Sequence, residues 1–301
     1  MRYATKSDGN DGARYDPADM LIGYNTNGFA HHRIADAIAI LSDIGYESVA
    51  VTLEPDLLDP PDRRGVRACV DTLRSLLGAS GLRATIETGS RFILDPRRKH
   101  QPTLLSRAEG DRRRRIDFLE AAIDVATGVG ADCVSLWSGS PDDDASSEVL
   151  LQRLTDGLRA LVAFAEPRNM PLAFEPEPGM FVARMADFDR LCEIVDDPLF
   201  GLTLDVGHVH CLADGDIGEH LRRQRVRLFN VHIEDMRRGV HEHLMFGEGD
   251  MDFGAVFLAL REIEYAGPVH VELSRHAHDA VRAATEAYRF LRPLVDGASA
   301  G

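Results

Sequence analysis

The sequence concentrates metal-binding side chains in residues 230–253, which read NVHIEDMRRGVHEHLMFGEGDMDF. His232, His241 and His243 lie there among several carboxylates, directly after an apolar run. Nine of the twelve histidines of the chain follow residue 200, so this third of the protein has a local use for imidazole. Imidazole and carboxylate groups are common ligands of divalent metal ions. The segment therefore predicts a metal site, against the simpler alternative of a solvated acidic loop.

Four short segments elsewhere end in similar side chains. In PLAFE, GLTLD, LFNVH and PVHVE, side chains alternate between an apolar face and a second face, as in strands. The second face ends in Glu175, Asp205, His232 and Glu272, respectively. This mixed oxygen and nitrogen set suits Mn²⁺, Mg²⁺, Co²⁺ or Zn²⁺, and one divalent ion would remove the repulsion among three carboxylates. Each residue alone is typical of an ordinary polar strand end, but the set predicts a metal site.

The elements that would position these residues alternate along the chain with a period of roughly 30 residues. Strands are predicted at residues 21–29, 47–54, 82–89, 132–139, 171–178, 201–208, 228–235 and 268–275. Amphipathic helices lie between them, so eight βα units predict an α/β protein, a single-domain (β/α)₈ TIM barrel over residues 20–295. A doubly wound open sheet is disfavoured because GYNTNGFAHH, after the first strand, is not a glycine-rich phosphate-binding turn.

The barrel predicts where chemistry takes place. In this fold the active site lies at the C-terminal ends of the strands and on the loops that follow. The last inward-facing residues of the fifth to eighth strands are the four residues named above, so we expect them to converge at one mouth of the barrel.

The composition limits the partners. The net charge of −15 argues against nucleic acid, because phosphate binding draws on clustered Lys and Arg. No apolar run reaches about 18 residues, so no membrane span is expected. Four cysteines without CxxC spacing favour a reduced, cytoplasmic protein: Cys69, Cys133, Cys192 and Cys211. Residues 1–19 are predicted to form a flexible leader and residues 296–301 a disordered tail. Whether the chain forms a homo-oligomer is open.

Further residues near the strand ends are candidates for substrate binding. His208 lies three residues beyond Asp205, within reach of a metal or a substrate oxygen, or it bonds to backbone. Glu54 and Glu87 end the second and third strands and would each bind substrate or form a salt bridge. Trp137 follows the fourth strand and is either an apolar wall against a sugar ring or a core residue.

Basic and histidine residues form a second group of candidates. Arg275, just after Glu272, is placed to bind an anionic or hydroxylated substrate, and we prefer it to the basic run 97–100, which is typical of a solvated loop. His241 and His243 are either substrate-facing imidazoles or a second metal position. The GEGDMDF turn is expected to start the next helix, with Asp250 or Asp252 as its cap.

These motifs resemble one known superfamily. Glu175 in LAFEPEP, Asp205 and His208 in LDVGHVH, His232 in VHIED, the GEGDMDF turn and Glu272 in VELSR are similar to the xylose-isomerase-like TIM barrels over residues 20–295. That superfamily includes sugar (phosphate) isomerases and epimerases, inosose dehydratases, hydroxypyruvate isomerases and endonuclease IV. The resemblance to its ketose 3-epimerases implies that Glu175, Asp205, His232 and Glu272 hold one divalent ion, with His208 on the substrate.

The resemblance also implies a mechanism. The metal would bind a carbonyl and a neighbouring hydroxyl and acidify the C–H between them. One of the two catalytic glutamates, Glu175 or Glu272, would remove that proton to give a metal-bound enediolate, and the other would return a proton, giving epimerisation or isomerisation. With a leaving hydroxyl the same site would dehydrate an inosose. The predicted function is thus a divalent-metal-dependent isomerase or epimerase of a sugar or cyclitol, in carbohydrate metabolism, with the dehydratase as alternative.

Two other classes are weighed. An endonuclease IV-like nuclease would use His241 and His243, at the offsets of its Asp-x-His zinc motif. It would also need two histidines after earlier strands, where this chain has Glu54, Glu87 and Trp137. A non-catalytic metal-binding barrel remains open. Without those two histidines a three-metal cluster would be incomplete, and two inward glutamates on a bound metal are costly to keep without chemistry, so the isomerase is favoured.

Overall fold

The computed structural model describes residues 20–58 and 64–297. Eight parallel strands close into a barrel in the order β1, β10, β7, β6, β5, β4, β3, β2. The strands in chain order are β1 (Leu21–Asn25), β2 (Ser48–Thr52), β3 (Arg83–Glu87), β4 (Val134–Leu136), β5 (Leu172–Phe174), β6 (Phe200–Asp205), β7 (Leu228–Ile233), β8 (Asp235–Arg237), β9 (Val240–Leu244) and β10 (Pro268–Val271). The predicted (β/α)₈ barrel is confirmed. The predicted leader and residues 298–301 lie outside the described residues.

Nine α-helices lie between or after these strands in the described part of the chain: α1 (Ile34–Ile44), α2 (Arg64–Ser80), α3 (Glu109–Val129), α4 (Ser147–Ala165), α5 (Met185–Val195), α6 (Val206–Cys211), α7 (Ile217–Gln224), α8 (Phe253–Glu262) and α9 (Ala280–Val295). Helices α1 and α3 end at Gly45 and Gly130, whose φ of 112° and 73° suit glycine. Among the described helices, none is long and apolar enough to cross a membrane. All four cysteines are free.

The strands end earlier than the apolar alternation predicts. Residues 21–29 were predicted as one strand, but β1 ends at Asn25 and a 3₁₀ turn follows over Thr26–Phe29. The side chain of Asn25 accepts a hydrogen bond from the amide of Asn27 and so starts this turn. The alternation of apolar and polar residues continues beyond the last hydrogen bond between neighbouring strands, because residues at the barrel mouth are still buried on one side. The extra residues form loops that carry side chains into the mouth.

The inside of the barrel is polar directly below the mouth. His270 donates or accepts at both ring nitrogens, 2.8 Å from Asn230 Oδ1 and 3.0 Å from Ser48 Oγ. Thr203 Oγ1 donates to Ser135 Oγ at 3.1 Å. Thr203, Asn230 and His270 therefore face the inside of the barrel. Gly23 makes room for this network, because a Cβ there would lie 2.1 Å from the His270 ring.

An antiparallel hairpin follows β7, which the sequence did not predict. Strands β8 and β9 pair Asp235 with Leu244, and the turn between them includes Gly239 with φ of 76°. The buried Asp235 carboxylate accepts hydrogen bonds from the amides of Gly247, Gly249, Met236 and Met251. The Asp235 carboxylate therefore ties the hairpin to the Gly-Glu-Gly turn. These hydrogen bonds offset part of the free-energy cost of burying its charge.

The end of this turn starts α8 as expected. The Asp252 side chain accepts from the amide of Ala255 at 3.0 Å and caps the helix. Asp250, the other predicted cap, instead contacts the imidazole of His210. Asp252 is therefore the cap, because its position in the chain places its side chain at the first free amides of the helix.

Candidate active site

The four strand-end residues meet at the C-terminal mouth of the barrel. Glu175 follows β5, Asp205 ends β6, His232 lies in β7 and Glu272 follows β10. One ligand atom from each lies within 4.8 Å of the others. Register explains this convergence, because Asp205 pairs with His232 across β6 and β7, and His232 pairs with His270 across β7 and β10.

The ring of His232 has two distinct sides. Its Nδ1 lies 3.1 Å from Glu175 Oε1 and 2.9 Å from Glu272 Oε2, so it faces the cluster. Its Nε2 lies 3.0 Å from Glu87 Oε1 and 3.1 Å from Asn230 Nδ2. Glu87, predicted to bind substrate or form a salt bridge, forms the salt bridge and also lines the cavity. A carboxylate behind a ligand histidine fixes its tautomer and ring orientation.

Burial and mutual charge shift the titration of the cluster. Burial raises the pKa of Glu175 to about 8, although His232 acts in the opposite direction. Burial alone would raise the pKa of Glu272, but the imidazolium of His232 lowers it well below the usual range. Burial would lower the pKa of His232, yet Glu175, Glu87 and Glu272 raise it well above normal. The cluster is a concentration of negative charge in which His232 is the only cation.

The residues present fit a divalent cation. Asp205 Oδ1 accepts from the His208 amide at 2.8 Å, but its Oδ2 is buried and has no hydrogen-bond partner. A buried carboxylate oxygen without a partner costs free energy unless something binds it. Three carboxylates and one imidazole within 4.8 Å of one another match the ligand types of Mn²⁺, Co²⁺ or Zn²⁺.

The three predicted rim histidines lie next to this cluster. His208, His241 and His243 each place a ring nitrogen within 4.8 Å of the others. His208 Nδ1 lies 3.2 Å from the carbonyl of Pro176, and His243 Nδ1 lies 2.9 Å from the carbonyl of Glu272. The carbonyl contact leaves His208 Nε2 buried without a hydrogen-bond partner, at the edge of the cluster.

Sequence reasoning missed three residues of the site. Asn27, in the turn after β1, donates from Nδ2 to Glu272 Oε1 at 2.7 Å. Glu234 is fully buried, its two side-chain oxygens have no hydrogen-bond partner, and burial raises its pKa well above normal. Glu177 Oε2 lies 3.9 Å from His208 Nε2. The signal for Glu234 was available, because it continues the inward alternation of Asn230 and His232.

A cavity of about 810 Å³ opens from the cluster toward the loops of the first four strands. Trp137 lines it and is 5% exposed, with its ring 5.1 Å from that of His100. Arg275 lines it as predicted, but it lies 3.4 Å from the carboxylate of Glu242. Of the basic run 97–100, residues 97–99 are exposed, as expected of a solvated loop, and Lys99 and His100 also line the cavity.

The comparisons with known proteins agree on the fold. L-ribulose-5-phosphate 3-epimerase UlaE of Escherichia coli (strain K12) is 26% identical over 193 residues, which are 63% of this chain and 67% of that protein. The crystal structure of 3-keto-D-glucoside 4-epimerase YcjR from E. coli, in its apo form, covers 91% of this chain and 99% of its own, with a TM-score of 0.73 and 19% identity. The crystal structure of the IolI protein with a bound zinc atom covers 94% of this chain and 100% of its own, with a TM-score of 0.74 and 18% identity.

A family model that matches most of the chain identifies the family to which it belongs. The model described as "Xylose isomerase-like TIM barrel" matches residues 38–294, which is most of the chain and contains the ends of the seven barrel strands after β1. The match includes Glu175, Asp205, His232 and Glu272. The chain therefore belongs to the xylose isomerase-like TIM-barrel family.

Proposed function

We propose that this protein is a divalent-metal-dependent epimerase or isomerase of a sugar or cyclitol. The observation that carries the proposal is the convergence of Glu175, Asp205, His232 and Glu272 within 4.8 Å at the barrel mouth. The names of similar proteins support the same class, since UlaE and YcjR are sugar epimerases. The four residues would hold the ion, which supplies Lewis-acid polarisation of a substrate carbonyl and so acidifies the neighbouring C–H.

The two glutamates are suited to proton transfer from different directions. Glu175 lies at the end of β5 and Glu272 at the end of β10, two strands that are separated by β6 and β7 in the barrel, and both line the cavity. One carboxylate removes the proton from the carbon next to the carbonyl, and the other returns a proton to the opposite face or to the adjacent carbon. Return to the opposite face gives epimerisation, whereas return to the adjacent carbon gives isomerisation.

Neighbouring groups orient the acid–base residues and the substrate. Asn27 holds Glu272 by its amide at 2.7 Å, and its own Oδ1 is buried without a partner. That oxygen is available to accept a hydrogen bond from a substrate hydroxyl. His208 Nε2 lies 3.4 Å from Asp205 Oδ2 and 3.9 Å from Glu177 Oε2, at the edge of the cluster. Glu175, Asp205 and His232 are each at most 5% exposed, so water is largely excluded from the reacting groups.

The proposal is tested by isotope exchange. The protein is loaded with Mn²⁺ and incubated in D₂O with free ketoses, ketose phosphates and inososes, and the products are followed by NMR. Deuterium is expected at the carbon next to the carbonyl of at least one substrate. Loss of water from an inosose with the same exchange would assign the dehydratase alternative. Absence of exchange with every substrate in the panel would contradict the proposed function.

A further inference from the structure

A basic loop on the β3 side of the cavity closes on itself. The His100 amide donates to the Arg91 carbonyl at 2.6 Å, although these residues are nine apart in the chain. Gln101 Nε2 then donates to the Ser140 carbonyl at 3.1 Å and anchors the loop to the segment after β4. Arg91, Lys99 and His100 are thereby held in one place, and all three line the cavity that contains Glu175 and Glu272.

Two cations of this loop, Arg91 and Lys99, differ from the other cations near the cavity because they have no acidic partner among the described residues. Arg98 lies 2.7 Å from Asp95, and Arg275, across the cavity, lies 3.4 Å from Glu242. Arg91 and Lys99 form no ion pair with any residue that the structure describes. Glu54 also lines the cavity, but it accepts a hydrogen bond from Ser90 Oγ at 2.8 Å. Two cations without an acidic partner thus face the cavity.

A buried guanidinium lies next to Trp137, which lines the same cavity. Arg115, in α3, is 1% exposed, and its Cζ lies 4.5 Å from the centre of the Trp137 ring. It donates to the Thr88 carbonyl at 3.3 Å and forms no ion pair with a described carboxylate. A buried charge without a counterion is costly and acts over a long range in a low-dielectric interior. Arg115 therefore adds positive potential where Trp137 and His100 meet the cavity.

We propose that Arg91, Lys99 and His100 form a subsite for an anionic group, a phosphate or a carboxylate, at the end of the substrate remote from the metal cluster. Arg and Lys side chains bind such groups through charge-assisted hydrogen bonds. Burial and the nearby cations Lys99, Arg115 and Arg91 lower the pKa of His100 to about 4, so it is a neutral donor or acceptor at pH 7. The subsite narrows the substrate of the proposed function to a sugar phosphate or sugar acid, and its assignment as a substrate site rests on that function.

The first test measures anion binding without turnover. Trp137 is the only tryptophan of the chain, and its ring lies 5.1 Å from His100. Its fluorescence is recorded while the metal-loaded protein is titrated with inorganic phosphate at constant ionic strength. A saturable change is expected in the wild type. The double variant Arg91→Gln/Lys99→Gln should weaken phosphate binding about 10- to 100-fold, as expected for the loss of charge-assisted hydrogen bonds.

Arg97→Gln is the matched control, because it removes one charge from the same loop at an exposed residue that does not line the cavity. It should leave phosphate binding within about twofold of the wild type, as expected for a surface charge screened by salt. If Arg97→Gln weakened phosphate binding as much as the double variant does, the effect would come from the net charge of the loop and the proposed subsite would be wrong. The absence of any saturable response in the wild type would overturn it as well.

The second test separates the subsite from the proposed function. Deuterium exchange is compared for a free ketose, its terminal phosphate and its terminal carboxylate. The anionic substrates should have KM lower by about 10-fold or more, and the double variant should remove that preference. Equal KM values for all three would overturn the subsite but leave the function standing. Phosphate binding without exchange of any substrate would support the subsite and contradict the function.

Discussion

The two halves of the barrel mouth are built differently. On the half formed by β5, β6, β7 and β10, single side chains at strand ends form a buried acidic cluster around His232. On the half formed by β1 to β4, loops form the wall, with the Asn27 turn, the closed loop from Arg91 to His100 and Trp137 over Arg115. Rigid strand ends suit groups that must be placed precisely for chemistry, whereas loops suit recognition of a particular substrate.

The largest expected effect is on the strand-end half. Glu272→Gln removes a charge that lies 2.9 Å from His232 Nδ1 and one of the two proposed proton-transfer groups. We expect kcat for exchange in D₂O to fall about 10²- to 10⁴-fold, the usual contribution of a general acid or base, together with weaker metal binding. Glu286→Gln, on the exposed side of α9, is the control with the same chemical change. Activity of Glu272→Gln near that of this control would remove Glu272 from the mechanism.

A large effect on stability is expected at the junction between the hairpin and the Gly-Glu-Gly turn. Asp235→Ala leaves the amides of Gly247 and Gly249 without their acceptor. We expect the free energy of unfolding in urea to fall by about 2 to 4 kcal/mol, because hydrogen bonds to a charged group are worth about 1.5 to 3 kcal/mol each. Asp235→Asn keeps one acceptor oxygen and should lose less. A loss below about 0.5 kcal/mol in Asp235→Ala would show that the carboxylate does not organise the turn.

A smaller effect is expected at Glu87, which lies on β3 in the loop half but contacts His232 of the strand-end half. Glu87→Gln weakens the hold on His232 Nε2, so metal affinity should fall about 10- to 100-fold, as for other partners of ligand histidines. Mn²⁺ titration by calorimetry measures this. Glu54→Gln, at the end of the neighbouring strand and bonded to Ser90, should leave metal affinity unchanged. Unchanged affinity in Glu87→Gln would separate Glu87 from the metal cluster.

The smallest effect is expected on the loop half. Arg115→Met keeps an unbranched side chain under Trp137 but removes the buried charge. Phosphate affinity, read from Trp137 fluorescence, should fall about 3- to 10-fold, whereas a contribution of packing alone would leave it unchanged. The free energy of unfolding should change little or increase, because replacing an unpaired buried charge by an apolar group is often neutral or stabilising. A large loss of stability would instead make Arg115 a structural residue.

The strand-end half was predictable because its information is local. The apolar alternation in GLTLD or PVHVE gives the side on which Asp205 and Glu272 lie, and the barrel places that side at one mouth. The loop half was not, because its contacts join distant residues. The basic run 97–100 is typical of a solvated loop until the His100 amide is seen to bind the Arg91 carbonyl. Likewise, nothing local connects Asn27 to Glu272, which are 245 residues apart.

The sequence by itself determined the fold class, the family and the convergence of Glu175, Asp205, His232 and Glu272, because period-two alternation and the eightfold βα repeat constrain each strand end. Only the tertiary structure decided which neighbours act on these residues. Glu87 contacts the Nε2 side of His232, and Asp235 binds the turn that follows a hairpin the sequence did not predict. Arg115 packs against the ring of Trp137. Such pairings depend on loop closure and side-chain packing across the barrel, and no local pattern records them.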